Sequence, residues 1–192
     1  MEKKQVLAIQ GSYRKNGKTT TMLKMAASLC EKKGHNVTYL NLFEKKIDYC
    51  KGCKKCNETG ECIFKNDDME EITKLFKAAD VIILAAPVYW ANVPAIVKNL
   101  FDRLTGVAMA ETNTFPKPRL SGKRYILLTA CNTQNPFAYL AGQLTGVNRA
   151  VKEFFKTAGV HRIGSVVCTD ARAYKELPEK TITKLSKLIG EV

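Results

Sequence analysis

Val6-Leu-Ala-Ile-Gln-Gly11-Ser-Tyr-Arg-Lys-Asn-Gly17-Lys-Thr-Thr-Thr21 runs from an apolar stretch through a polar loop into Met22-Leu-Lys-Met-Ala-Ala-Ser-Leu-Cys30. Val6–Ile9 is short and wholly apolar, so it reads as a buried strand. Met22, Met25, Ala26, Leu29 and Cys30 then recur at i, i+3, i+4, i+7 and i+8, which predicts a helix ending near Gly34. Strand, turn and helix in that order form the unit from which open α/β sheets are built.

The unit repeats along the chain. Val37–Leu42 is a second strand, partly polar and so expected at an edge. Asp68 and Glu71 have the spacing of a capping box ahead of a helix carrying Ile72, Leu75, Phe76 and Ala79. Val81–Ala86 is an apolar strand, and Val93, Ile96, Val97, Leu100, Phe101 and Leu104 mark the helix after it. A loop over 105–121 precedes a strand at Tyr125–Ala130, and one helix is expected from Phe137 to about Ala158. Ile163–Cys168 is a fifth strand, and Ile182, Leu185 and Leu188 lie on a last helix. Three of the strands are near-continuous apolar runs, as in strands covered on both faces. The expectation is an α/β fold: a three-layer, doubly wound, five-stranded parallel sheet in one domain over 1–192, interrupted by a cysteine-rich insertion at about 48–66.

Composition fits this. The 192 residues are 45% apolar, enough for one core and short for two. The sequence contains no apolar run of transmembrane length and no secretory leader is read, so a cytoplasmic protein with no membrane partner is expected. A disulfide framework is then improbable for the seven cysteines. The net charge of +13 favours anionic partners. The lysines are spread along the chain, and neither a helix-turn-helix nor an aromatic-interleaved basic stripe occurs, so nucleic acid is not expected among the partners. His35 in a polar turn and His161 at a strand entrance are read as solvated.

In open α/β sheets ligands bind beyond the carboxyl ends of the strands, at the point where strand order reverses. The loop after the first strand brings Ser12, Arg14, Gly17, Lys18, Thr19 and Thr20 to a helix N-terminus, a place suited to a phosphate. It is not a Walker A loop, because five residues separate Gly11 from Gly17, and G-x-G-x-x-G is absent. A capped turn with nothing bound is the bland alternative. The loop after the third strand, Ala86-Pro87-Val88-Tyr89-Trp90-Ala91-Asn92-Val93-Pro94, offers flat aromatic surface to a ring. The alternative there is a sheet-end cover or a subunit contact. A phosphate loop beside a ring loop describes a mononucleotide site.

The stretch Gly11–Thr20 resembles the flavin-phosphate loop of the NADPH-dependent FMN reductase branch of the flavodoxin-like proteins. Ala86–Trp90 with Pro94, Lys98 and Phe101-Asp-Arg103 looks like that family's isoalloxazine-side signature. The resemblance implies strand order 2-1-3-4-5 and bound FMN. Ser12, Arg14, Gly17, Lys18, Thr19 and Thr20 would hold the phosphate, with Lys18 standing where the family often has Asn. Pro87, Val88, Tyr89, Trp90 and Asn92 would line the ring, with Thr129 and Cys131 near its other edge. It also implies a homo-oligomer, dimer or tetramer.

Cys50-x2-Cys53-x2-Cys56-x5-Cys62 matches a subgroup, the iron–sulfur flavoproteins. Four thiolates in thirteen residues suit a [4Fe–4S] cluster. Zinc is chemically possible but usually pairs two separated C-x2-C knuckles, and unmetallated thiols are the third reading. Neighbouring lysines would offset a cluster's negative charge. Cys30 and Cys168 are read as small core residues. The function expected is an FMN-dependent oxidoreductase, ferredoxin- or NAD(P)H-linked, with no side chain named as catalytic acid or base. A cluster-free NAD(P)H reductase of FMN, quinones or nitroaromatics, a non-enzymatic electron carrier and a zinc-bearing module are the alternatives.

Overall fold

A computed structural model describes residues 2–192. In chain order its elements are β1 (Gln5–Gln10), α1 (Lys18–Lys32), β2 (Asn36–Asn41), a 3-10 turn (Leu42–Glu44), α2 (Cys56–Thr59), α3 (Met69–Ala78), β3 (Val81–Ala85), α4 (Ala95–Arg103), α5 (Thr105–Ala108), β4 (Met109–Ala110), β5 (Lys117–Pro118), β6 (Arg124–Ala130), α6 (Phe137–Leu140), α7 (Gln143–Thr157), β7 (His161–Cys168) and α8 (Glu179–Gly190). Five strands form one sheet in the order β2-β1-β3-β6-β7, every pair parallel. This is the expected 2-1-3-4-5 arrangement, because β4 and β5 form a separate antiparallel ribbon inside the predicted 105–121 loop.

The apolar runs work as two-faced strands. Leu7, Ile9, Ile82, Leu84, Tyr125 and Leu127 point into a core shared with α3, α4 and α7. Val6, Ala8, Val81, Ile83, Ile126 and Leu128 point the other way, onto α1 and α8. Alternate residues therefore serve opposite layers, and no strand face of the sheet centre is left to water. The partly polar β2 lies at an edge, as its sequence predicts.

Three local expectations are corrected. Asp68 occupies the N-cap position of α3, but its carboxylate accepts from the Lys46 N–H rather than capping the helix. Glu71 pairs with Lys45, so no capping box forms. The helix expected over 137–158 is two helices, broken where Gly142 takes φ of 73°. His35 is buried rather than solvated, and its Nδ1 accepts from the Lys4 N–H, whereas His161 is exposed.

Candidate functional site

The reversal of strand order lies between β1 and β3. There the loops after β1, β3 and β6 surround a cavity of about 520 Å³, within the range of roughly 300–1,000 Å³ common for small-molecule sites. Ser12, Arg14, Asn16, Gly17, Lys18 and Thr19 form one wall, and Pro87, Val88 and Tyr89 another. Ala130, Cys131 and Asn132 close it from β6.

The wall formed by the loop after β1 is built by its own backbone. The Arg14 carbonyl accepts from the Gly17 N–H at 3.1 Å and from Thr20 Oγ1 at 2.8 Å, which folds the loop back onto the start of α1. Among the described residues no side chain caps α1, and no acid lies in its first turn, so the positive end of the helix faces the cavity unneutralised. Ser12 and Thr19 are buried beside it. These are the donors a phosphate requires, and the cavity runs from them to the aromatic loop, so the residues present fit FMN. Lys18 instead donates to the Lys175 carbonyl at 2.8 Å, although it still lines the cavity.

The wall formed by the loop after β3 is a tight turn. Tyr89 and Asn92 exchange two backbone hydrogen bonds of 2.9 Å, while Trp90 and Ala91 at its corners have φ of 52° and 56°. Such a turn normally carries Asn-Gly. It is held in place by α7: a Cβ on Gly146 would lie 1.8 Å from the Ala91 carbonyl oxygen, so only glycine permits the seat. Trp90 is wholly exposed and lines a neighbouring hollow with Val88, Cys131, Asn132 and Gln143.

Of the predicted site residues, Ser12, Arg14, Gly17, Lys18, Thr19, Pro87, Val88, Tyr89 and Cys131 line the cavity. Thr20 lies beneath it as a brace. The Asn92 side chain accepts from the Val93 N–H. Thr129 does not line the cavity; it is fully buried, its hydroxyl without a partner among the described residues. Burial pushes the Cys131 thiol above its ordinary pKa, which favours its neutral form. Ala171 and Arg172, after β7, also line the cavity and were not foreseen, because nothing in their sequence marks them before the fifth strand is placed.

The four clustered cysteines line one small hollow with Phe64, Asp102 and Arg103. No three His, Cys, Asp or Glu side chains among the described residues stand close enough to hold one metal ion. The chemistry of the donor set nevertheless fits a cluster, whose ligands are spread more widely than those of one tetrahedral ion. Burial raises the Cys56 pKa, the Gly106 N–H opposes that rise, and the other three thiols add to it. The segment is anchored to the main fold by buried polar groups of α4. Asn99 donates to the Ile47 carbonyl at 3.0 Å, and Arg103 to the Asp48 carbonyl at 2.6 Å. Arg103 also forms a two-armed pair with Asp67, both side chains 1% exposed. Arg119 grips the carbonyls of Gly106 and Asn57 at 2.6 Å each.

A parallel sheet of this order, with a cavity at its reversal point walled by a helix N-terminus and an aromatic turn, is the arrangement of a flavodoxin-like protein. The family model for NADPH-dependent FMN reductases matches residues 5–152, and the chain belongs to that family. An iron-sulfur flavoprotein of Archaeoglobus fulgidus is 42% identical over 98 residues, 51% of this chain and 44% of that protein. The chain spans about half the length of the curated relatives it matches. Among solved structures, the NAD(P)H:quinone oxidoreductase of Methanothermobacter marburgensis superposes with a TM-score of 0.74 at 14% identity, over 98% of this chain and 97% of that one. The FMN-dependent NADH-azoreductase of Bacillus anthracis in complex with FMN gives 0.72 at 15%, over 100% and 97%. At such identities the likeness is one of fold.

Proposed function

We propose that the chain is an FMN-dependent oxidoreductase of the NAD(P)H- or ferredoxin-linked kind, whose Cys50, Cys53, Cys56 and Cys62 hold a [4Fe–4S] cluster coupled to the flavin. The observation that carries the flavin half is the single cavity joining the uncapped start of α1 to the Tyr89 turn. FMN bound there supplies hydride and single-electron chemistry. The chain's own residues bind and orient it. Arg14, Ser12, Thr19 and the α1 N–H groups take the phosphate, while Pro87, Val88 and Tyr89 shield the ring from water. Ala171 and Arg172 border the cavity from the β7 side.

Support for the cluster half comes from the convergence of four thiols on one hollow and from relatives named iron-sulfur flavoproteins. The enclosed space is only about 20 Å³, and residues 48–55, which carry Cys50 and Cys53, are exposed throughout. Admitting a cluster therefore moves that arm and leaves the buried α4 side of the hollow in place. The ring loop enters α4 and Arg103 ends it, so the two centres lie at opposite ends of one nine-residue helix, roughly 13 Å along its axis. A cluster-free NAD(P)H reductase is the second reading. It is favoured by the absence, among the described residues, of three metal-ligating side chains within reach of one ion.

Exposed apolar side chains on the site's rim and on α6 (Tyr13, Trp90, Phe137 and Leu140) support a homo-oligomer closing over the flavin. The net charge of +13 supports an acidic redox protein or NAD(P)H as electron donor. No helix among the described residues is long and apolar enough to cross a membrane.

An anaerobic absorption spectrum, with FMN, iron, sulfide and zinc measured on the same sample, tests the proposal. One FMN per chain with iron and sulfide in equal amounts is the expected result. Protein that takes up no FMN overturns the flavin reading. FMN with zinc, or with no metal, overturns the cluster reading alone.

A further inference from the structure

We propose that the corner between α4 and α5 is the sulfur-holding floor of the cysteine centre, with the Arg103 Nε–H directed to Cys62 and the Gly106 backbone N–H to Cys56. This rests on the cluster reading above. Three observations carry it. Arg103 is 3% exposed, and both terminal nitrogens of its guanidinium are engaged, by Asp67 and by the Asp48 carbonyl. Its Nε, in contrast, is buried and has no partner among the described residues, although the side chain borders the hollow lined by all four cysteines. A buried donor left unpaired is costly and calls for an explanation. The side-chain acceptors lining this hollow are the four sulfurs and Asp102, and Asp102 is already engaged by Lys98, which leaves sulfur for the Nε–H.

The third observation is the seat of Cys56. A Cβ on Gly106 would lie 2.4 Å from the Cys56 carbonyl oxygen and 2.6 Å from its Cβ. Residue 106 therefore brings bare backbone against the cysteine segment, and Arg119 clamps the same two strands of chain by donating to the Gly106 and Asn57 carbonyls. Both donors belong to the main fold and not to the segment that bears the thiols. The floor is thus set before the exposed arm carrying Cys50 and Cys53 closes. Asp67 fixes the guanidinium from behind, which makes it a positioning residue for Arg103.

Donors and positive charge beside a cluster favour its more negative, reduced form, and their loss disfavours it. Arg103→Lys keeps a cation for Asp67 but removes the Nε–H. It is expected to lower the cluster's midpoint potential in an anaerobic redox titration. It is also expected to speed iron loss to a chelator, on the order of the 10–100-fold effects known for groups that orient metal ligands. Asp67→Asn removes a negative charge and is expected to raise the potential. Opposite signs are the signature, since a merely structural ion pair gives shifts of one sign or none. FMN binding serves as the check that each variant is folded.

If wild-type protein reconstituted with iron and sulfide takes up no cluster, the cluster reading falls and this inference with it. If the wild type loads and Arg103→Lys leaves potential and chelation rate unchanged, this inference alone falls. Should Arg103→Lys fail to fold, Gly106→Ala provides the second arm: slower or incomplete loading at Cys56 is expected, and normal loading overturns the floor.

Discussion

Arg14 and Thr19 bear on the same small volume in front of α1, one as an exposed fork of donors and the other as a buried hydroxyl. Charge-assisted hydrogen bonds to a phosphate each contribute on the order of 1.5–3 kcal/mol. Arg14→Ala with Thr19→Ala is therefore expected to weaken FMN binding by about 3 kcal/mol, roughly a hundredfold in Kd. Quenching of flavin fluorescence on titration measures this, and an unchanged Kd removes the loop from the site. His35 gives a second prediction at this scale. Burial first, then Lys33 and Lys4, hold its pKa below the ordinary histidine value. The folded chain thus favours the neutral ring. Its contribution to stability is complete above about pH 6.5, the unfolded value, and is lost as pH falls through the lower folded value. Urea midpoints between pH 8 and pH 5 are expected to decline more steeply for the wild type than for His35→Gln. The sequence around His35, polar on both sides, gave no sign of this burial. It results from the Lys4 backbone lying alongside, a contact between residues 31 apart.

The buried pair of Arg103 and Asp67 ties the end of α4 to the residues that lead into α3. Burial works against the Asp67 charge, but Arg103 and the backbone N–H groups of Asp48 and Met69 outweigh it, and its pKa lies below the ordinary carboxylate value. Removing one partner leaves the other charged and dry, so Arg103→Gln is expected to cost about 3–5 kcal/mol, whereas Asp67→Asn with Arg103→Gln costs less. Denaturant unfolding of the three variants measures the difference, and equal losses for the single and the double variant argue against a buried-charge penalty. The pair's contribution is present at neutral pH and declines as pH falls below about 4, through the lower folded pKa. Elements were legible where one period dominates. The apolar runs of β1, β3 and β6 placed the sheet centre, and the weaker β2 placed an edge. Legibility failed where a long-range partner wins a side chain. Asp68 has the spacing of a cap but serves Lys46, 22 residues away. Between 137 and 158 the apolar period runs on past Gly142, yet the backbone turns there at positive φ, and the segment that follows seats the Ala91 carbonyl on Gly146. No local pattern encodes that contact.

Across the whole molecule, the loops at the sheet's reversal point and the cysteine segment meet different ends of α4 and share no lining residue. The two loops that wall the cavity were readable because strand-end loops must carry the chemistry in this architecture. Ala171 and Arg172 were not, because they reach the cavity only once β7 is laid beside β6. The separation of the two centres makes a testable claim about independence. Cys53 is exposed and takes no part in the core, so Cys53→Ala is expected to leave the fold and the cavity intact. FMN binds the folded chain and not the unfolded one, so at a hundred times its Kd it adds about 2.7 kcal/mol to stability. That increment, read from unfolding curves with and without FMN, is expected to be the same in the wild type and in Cys53→Ala, while iron falls to background in the variant alone. Iron retained by Cys53→Ala means that the four-thiol set is wrong. A reduced FMN increment means that α4 carries strain from one centre to the other, and the two sites then work as a coupled pair rather than as neighbours on one helix.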